Sequence, residues 1–121
     1  MIKLSKHKLL INTKYETSAQ QKLQLNVTGS GVKIGVGVKY KYFPTHSKNL
    51  YYQFIEINNN LFLLLSTIQH DNYYTATSNG LGYILSSASV RALLYNDKPM
   101  SYKLEFEKTD NKDILAFKLL K

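Results

Sequence analysis

The chain has 121 residues and neither cysteine nor tryptophan, a length that suits one domain with its own core and a composition that excludes disulfides, thiolate nucleophiles and cysteine-based zinc sites. A formal net charge of +8 points to an anionic partner. The longest apolar run, residues 61–65, is too short to span a bilayer, and the amino terminus lacks the continuous apolar stretch of a secretory signal. The reading is a single cytoplasmic domain over 1–121 that makes no use of membrane.

The charge is unevenly placed. Lys3, Lys6, Lys8, Lys14, Lys22, Lys33, Lys39, Lys41 and Lys48 face a single acid, Glu16, over the first 48 residues, and the remainder of the chain sums to zero. After a polar stretch at 12–21, Leu23, Leu25 and Val27 alternate with Gln24, Asn26 and Thr28, the period of a half-buried strand. Gly29, Ser30 and Gly31 make a turn signal, and residues 32–43 alternate again. One face of that predicted strand is Val32, Ile34, Val36, Val38, Tyr40 and Tyr42; the other is Lys33, Gly35, Gly37, Lys39, Lys41 and Phe43. Lysines flanking bare glycines let a polyanion approach the backbone and lose its counterions. The same pattern also fits a solvated edge strand whose lysines discourage aggregation.

Pro44 ends the basic segment, and a loop carrying His46 and Lys48 leads into a predicted hairpin, 50–57 and 61–68, turned by Asn58, Asn59 and Asn60. Residues 69–82, with Tyr73, Tyr74, Asn79 and two glycines, are expected to form a surface loop, either a clamp or a plain connection. A helix is predicted over 88–95, capped by Ser86 or Ser87, with Val90, Leu93 and Leu94 on one face and a stop at 96–99. Met100, Tyr102, Leu104 and Phe106 then alternate with Ser101, Lys103, Glu105 and Glu107, and residues 114–120 return as the second strand of a closing hairpin. No internal repeat and no linker is visible.

Ten tyrosines and five phenylalanines add a second constraint. In an extended segment the pairs Tyr51-Tyr52 and Tyr73-Tyr74 each put one ring outward, and an outward ring can stack on an unpaired base, worth ~1–3 kcal/mol per base. The candidate nucleic-acid surface is therefore Lys33, Gly35, Gly37, Lys39, Lys41, Phe43, Lys48, Tyr51, Tyr73 and Tyr74. The element order is that of a mainly β, five-stranded oligonucleotide-binding (OB-like) barrel with one short helix, which grips single strands across its second and third strands. Catalysis finds no machinery. His7, His46 and His70 lie in separate segments, only His70 has an adjacent acid, Asp71, and Glu105 and Glu107 lie on a lysine-flanked solvated face. The glycines lack the lysine and following helix of a phosphate loop, and no ligand set for a metal or cofactor is present. The expectation is a binding protein and not an enzyme.

In size and character, with the lysine- and tyrosine-rich segment 33–43 and the final strand 114–121, the chain resembles the small single-stranded DNA-binding proteins of phages that infect lactic-acid bacteria. That resemblance implies an OB barrel, self-association as a homo-oligomer such as a dimer, protection of unwound DNA in phage replication or recombination within the host cytoplasm, and contact with a recombinase. The terminal Leu119, Leu120 and Lys121 depart from the acidic tail of the bacterial pattern. The last 40 residues carry a second resemblance. Gly82, Tyr83, Ile84 and Leu85, then Val90 to Leu94, then Lys98 and Pro99 and the strands at 103–107 and 114–118 are similar to swapped-hairpin transition-state regulators and antitoxins, which bind duplex DNA as dimers. Ser87 stands where that family has proline, and Met100 and Ser101 stand where it has turn glycines. The remaining alternatives are RNA binding and a protein-binding module such as an inhibitor of a host enzyme, its basic face set against an acidic protein surface.

Overall fold

The computed structural model describes residues 23–28, 31–46, 48–78, 82–85, 88–94 and 99–121. The five amino-terminal lysines, Lys3 to Lys22, the polar stretch 12–21, the turn residues Gly29 and Ser30, Asn79, the capping serines Ser86 and Ser87 and the helix stop at 96–98 lie outside them. The elements are β1 (Gln24–Thr28), β2 (Gly31–Ile34), α1 (Val36–Tyr42), β3 (Leu50–Ile57), β4 (Asn60–Ser66), β5 (Tyr74–Ser78), β6 (Tyr83–Leu85), α2 (Ala88–Leu94), β7 (Met100–Glu107) and β8 (Ile114–Leu120). The strands close into one antiparallel barrel in the order β1-β2-β6-β5-β3-β4-β8-β7. The expected mainly β barrel is there, but five strands and one helix are corrected to eight strands and two helices among the described residues.

Two segments account for the difference. The predicted basic strand breaks at Gly35: only residues up to Ile34 pair in the sheet, and Val36–Tyr42 is helical. Its composition gives the helix little intrinsic support, with an internal glycine, two valines, no side-chain N-cap and no acid in the first turn. Tertiary contact holds it, because Val38 is fully buried in the barrel core and Tyr42 packs on that core. The second segment is the predicted loop 69–82, which supplies β5 and the approach to β6. Only Ala76 of β5 is buried, so its strand character comes from pairing with β3 and β6 and not from a hydrophobic pattern. The β3-β4 hairpin turns through Asn58 and Asn59, both with positive φ (52° and 66°), as a two-residue type I′ turn requires.

Inward residues of every strand meet valines and leucines of the two helices in one core, among them Leu25, Ile34, Tyr52, Leu63, Tyr83, Phe117, Val38, Val90 and Leu94. A smaller outer cluster joins Phe62, Leu64 and Ala116 to Tyr73 and Ile114.

The chain runs ββαββ twice, β1 to β4 and then β5 to β8. Matching the halves turns the ladder pair Leu25 with Ile34 into Ala76 with Leu85, Tyr51 with Ser66 into Lys103 with Leu120, and Leu25 with Tyr102 into Ala76 with Leu50. The barrel therefore has a pseudo-two-fold axis between β2 and β6. Under this match Val32 corresponds to Tyr83, Ile34 to Leu85, Val38 to Val90, Leu50 to Tyr102, Tyr52 to Leu104, Leu63 to Phe117 and Leu65 to Leu119, and every one of these residues is buried. The sequence hides the repeat because what persists is inward placement, with side-chain identity among these pairs kept only at Val38 with Val90 and Leu65 with Leu119. The hairpins are exchanged: β1-β2 lies between β7 and β6, and β3-β4 between β5 and β8, so each hairpin has only hairpins of the other half as neighbours.

Candidate nucleic-acid interface

Because β2 and β6 run antiparallel, the helices that follow them leave at opposite ends of that strand pair. α1 and α2 are thus dyad mates, and Val38 and Val90, 0% and 4% exposed, turn equivalent faces into the core. The neighbouring positions face outward. Lys39 is half-buried while Tyr40 and Lys41 are exposed on α1, and Arg91, Ala92 and Leu93 are exposed on α2. Lys39 and Arg91 are matched across the axis.

Asp and Glu are absent from the strands and helices of one arc. Residues 17–55 and 72–96 contain no Asp or Glu, and together they supply β1, β2, α1, β5, β6 and α2, the contiguous arc β1-β2-β6-β5 with its two helices. Lys33 stands outward on β2 opposite Asn26 and Ile84, in a row whose other outward members, Ser101 and Thr77, are neutral. Ser101 donates from Oγ to Asn26 Oδ1 at 2.6 Å, which fixes the amide beside the lysine. The other arc is mixed in sign, with Glu56, Glu105, Glu107, Asp110 and Asp113 among Lys103, Lys108, Lys112, Lys118 and Lys121. The strands β1, β2, β6 and β5 therefore carry no acid, while Ala92 and Leu93 of α2 share a hollow with Glu56 and Tyr42 of α1 stacks on Phe106 of the mixed arc.

The predicted site residues divide accordingly. Lys33 stands on β2 and Lys39 and Lys41 on α1, a strand followed by a helix and not one flat strand, and Lys41 Nζ lies 5.7 Å from the ring centroid of Tyr42, which stacks on Phe106 of β7. Gly35 and Gly37 are not an open floor. Gly35 is the N-cap of α1, its amide donating to the Gln24 carbonyl at 2.8 Å, and a Cβ there would sit 3.0 Å from Gln24 Cγ. Gly37 is buried in the helix. Phe43, 7% exposed, packs edge-on against Tyr83 at 6.5 Å and is core, because the helix turns it inward where a strand would have turned it out.

The aromatic candidates scatter. Tyr51 and Lys48 border a shallow hollow with His46, Asn49 and Thr67. Tyr73 packs on the outer cluster and on His70, centroids 5.1 Å apart, and desolvation raises its hydroxyl pKa above the ordinary value. Tyr74 is 51% exposed and leans on Tyr52 at 5.9 Å. Arg91, not among the candidates read from sequence, is the counterpart of Lys39 across the axis, an equivalence that exists only in the folded barrel. Tyr40, 52% exposed, was assigned to the inward face.

Ser66 Oγ and His70 Nε2 lie 3.1 Å apart, but Ser66 is 1% exposed and its oxygen accepts from the Ile68 amide, so the pair pins a turn. Among the described residues no three His, Asp or Glu side chains converge on a point, and no helix is long and apolar enough to cross a membrane. No family model, curated protein or solved structure matches the chain.

Proposed function

We propose that the protein is a nucleic-acid-binding module, not an enzyme, and that its partner is duplex DNA, held against the strands β1, β2, β5 and β6, which carry no Asp or Glu, and the helices beside them. The observation that carries this reading is the pairing of Lys39 with Arg91 across the pseudo-two-fold axis, beside the strands β1, β2, β5 and β6, which include no Asp or Glu. A duplex presents its phosphates with two-fold symmetry about each base pair, so two cations fixed on either side of a protein dyad meet equivalent backbone positions. A single strand has no such symmetry. The exchanged hairpins also agree with the swapped-hairpin resemblance of the last 40 residues. In those regulators a dimer supplies the symmetry; here both halves lie in one chain, so one chain makes a complete site.

Binding of single-stranded DNA in phage replication or recombination is the second reading. Eight strands in this order depart from the five-stranded OB barrel, but the open rings of Tyr40 and Tyr74 keep single-strand stacking in view. Competition of labelled duplex by oligo-dT, RNA and heparin separates the readings. With Lys33, Lys39, Lys41 and Arg91 each neutralising about one phosphate, log affinity for duplex should fall with log salt at a slope near −3 to −4, from ~0.9 per contact. Preferential displacement by oligo-dT would return the function to single strands. A flat salt response would remove nucleic acid altogether and favour a protein partner.

A further inference from the structure

We infer that an outward row of side chains across β1, β2, β6 and β5 reads base edges in the major groove, with Asn26 directed at adenine and Ile84 and Thr77 at thymine methyl groups. This names what the duplex-binding surface recognises and rests on the duplex reading above. In the barrel ladders Ser101 stands opposite Asn26, Asn26 opposite Lys33, Lys33 opposite Ile84 and Ile84 opposite Thr77. Asn26, Lys33 and Ile84 each lie between two buried residues, and Thr77 follows the buried Ala76, so the row faces out of the barrel. Ser101, Lys33 and Thr77 are exposed, and Asn26 and Ile84 are half-buried. The pseudo-two-fold axis passes between Lys33 and Ile84 and exchanges Asn26 with Thr77.

Asparagine is disfavoured within strands, yet Asn26 holds the middle of β1 with its amide fixed. Ser101 Oγ donates to its Oδ1 at 2.6 Å, which leaves Nδ2 on the side away from Ser101. That donor fits a purine N7, and the second lone pair of Oδ1 accepts from adenine N6, the two-bond pairing of a side-chain amide with adenine. Across the axis the row is apolar at Ile84 and carries a methyl at Thr77, groups that suit the C5-methyl of thymine. No member of the row is an acid, so none accepts from the cytosine amino group. Lys33, at the centre, has a stem long enough to carry its ammonium to a phosphate at the groove edge. A major groove about 12 Å wide admits a two-stranded ribbon, and β2 with β6 is such a pair, its flanking strands falling away as the barrel closes. A site containing A·T pairs should be preferred, and in one orientation, because the axis exchanges an amide for a methyl.

The test enriches random duplexes on the full chain, measures affinity for the enriched duplex and a scrambled one, and then alters the DNA as well as the protein. Asn26→Ala should lower the ratio of enriched to scrambled affinity roughly 5- to 150-fold, the worth of one two-bond base contact, with the salt slope unchanged because no charge is removed. Replacing adenine by 7-deazaadenine removes the N7 acceptor, and it should weaken binding of the wild-type chain but not of Asn26→Ala. Replacing thymine by uracil removes only a major-groove methyl and should weaken binding about fourfold at a read position, an effect that Ile84→Ala should cancel. Ser101→Ala releases the amide, so it should lower the ratio in the wild-type background and leave it unchanged in Asn26→Ala. Thermal melting of each variant confirms the fold, and the altered bases test the contact with the protein untouched. The inference is overturned if duplex binds but no sequence is enriched, if the enriched duplex keeps its affinity with both altered bases, or if a folded Asn26→Ala keeps the wild-type ratio. Failure to bind duplex at all removes the functional reading itself, and the base reading with it.

Discussion

At the scale of single residues, Gly82 and Tyr83 show how the start of β6 is fitted against β2. A Cβ on Gly82 would strike the carbonyl oxygen of Ile34, and Ile34 is the ladder partner of Tyr83, so only glycine lets the two strands begin their pairing at this spacing. Gly82→Ala should destabilise the fold by about 2–4 kcal/mol, read as a lower midpoint in urea with an unchanged m-value. Tyr83 has the opposite character. Its ring is in the core and its hydroxyl is buried with no hydrogen-bond partner among the described residues, a desolvation cost that the ring's packing offsets. Tyr83→Phe should therefore raise stability by about 1 kcal/mol. Burial pushes the Tyr83 phenol above the ordinary 10.0, as it does for Tyr42 and Tyr73. The folded state favours the neutral phenol, so this contribution is fully present below pH 10 and is lost as the pH rises through the raised folded values. Alkaline titration of the urea midpoint should show that loss, and it should be smaller in Tyr83→Phe.

Among the elements, the two helices close the barrel by one device. Val38 and Val90 enter the core from opposite ends of the β2-β6 pair, so Val38→Ala and Val90→Ala should each cost about 2 kcal/mol, from two lost carbons and the gap they leave, with costs that add in the double variant. Tyr42 ties α1 down a second way, stacked on Phe106 at 5.0 Å and edge-on to Phe117 at 5.1 Å. Only one of these helices was legible in the sequence. α2 reads clearly because Val90 and Leu94 share a face and helix formers surround Arg91, whereas Val36, Gly37 and Val38 satisfy a period of two as well as the first turn of a helix. The hairpins β3-β4 and β7-β8 were equally legible, since apolar alternation and turn residues agree there. β5 was not, because Ala76 is its sole buried residue. The candidate residues divide along the same line: Lys33, Lys39 and Lys41 were chosen by charge, which survives a change of secondary structure, and Phe43 by orientation, which does not, so that it lies in the core.

For the whole molecule, exchange of hairpins has a consequence for folding that neither half shows alone. The ladders β1-β2, β3-β4, β5-β6 and β7-β8 are local, while β2-β6, β3-β5, β4-β8 and β1-β7 all join the first half to the second. Neither half can bury its inward face without the other: Leu25 and Ile34 pair across to Tyr102 and Tyr83, and Leu63 and Leu65 to Phe117 and Leu115. Two repeats in tandem would ordinarily permit two unfolding steps, as in solenoids where each unit contacts only its neighbours. Here the repeat supplies symmetry without independence, so urea unfolding should be one cooperative transition. Val38→Ala and Val90→Ala, one in each half, should move that transition as a whole when it is followed by far-ultraviolet circular dichroism and by tyrosine fluorescence. Because β1 must find β7 across most of the chain, folding should also be slow, in the millisecond-to-second range of barrels rich in distant contacts. Separate midpoints for the two probes, or a variant that splits the transition, would show that the halves fold independently and that the exchanged ladders do not carry the stability.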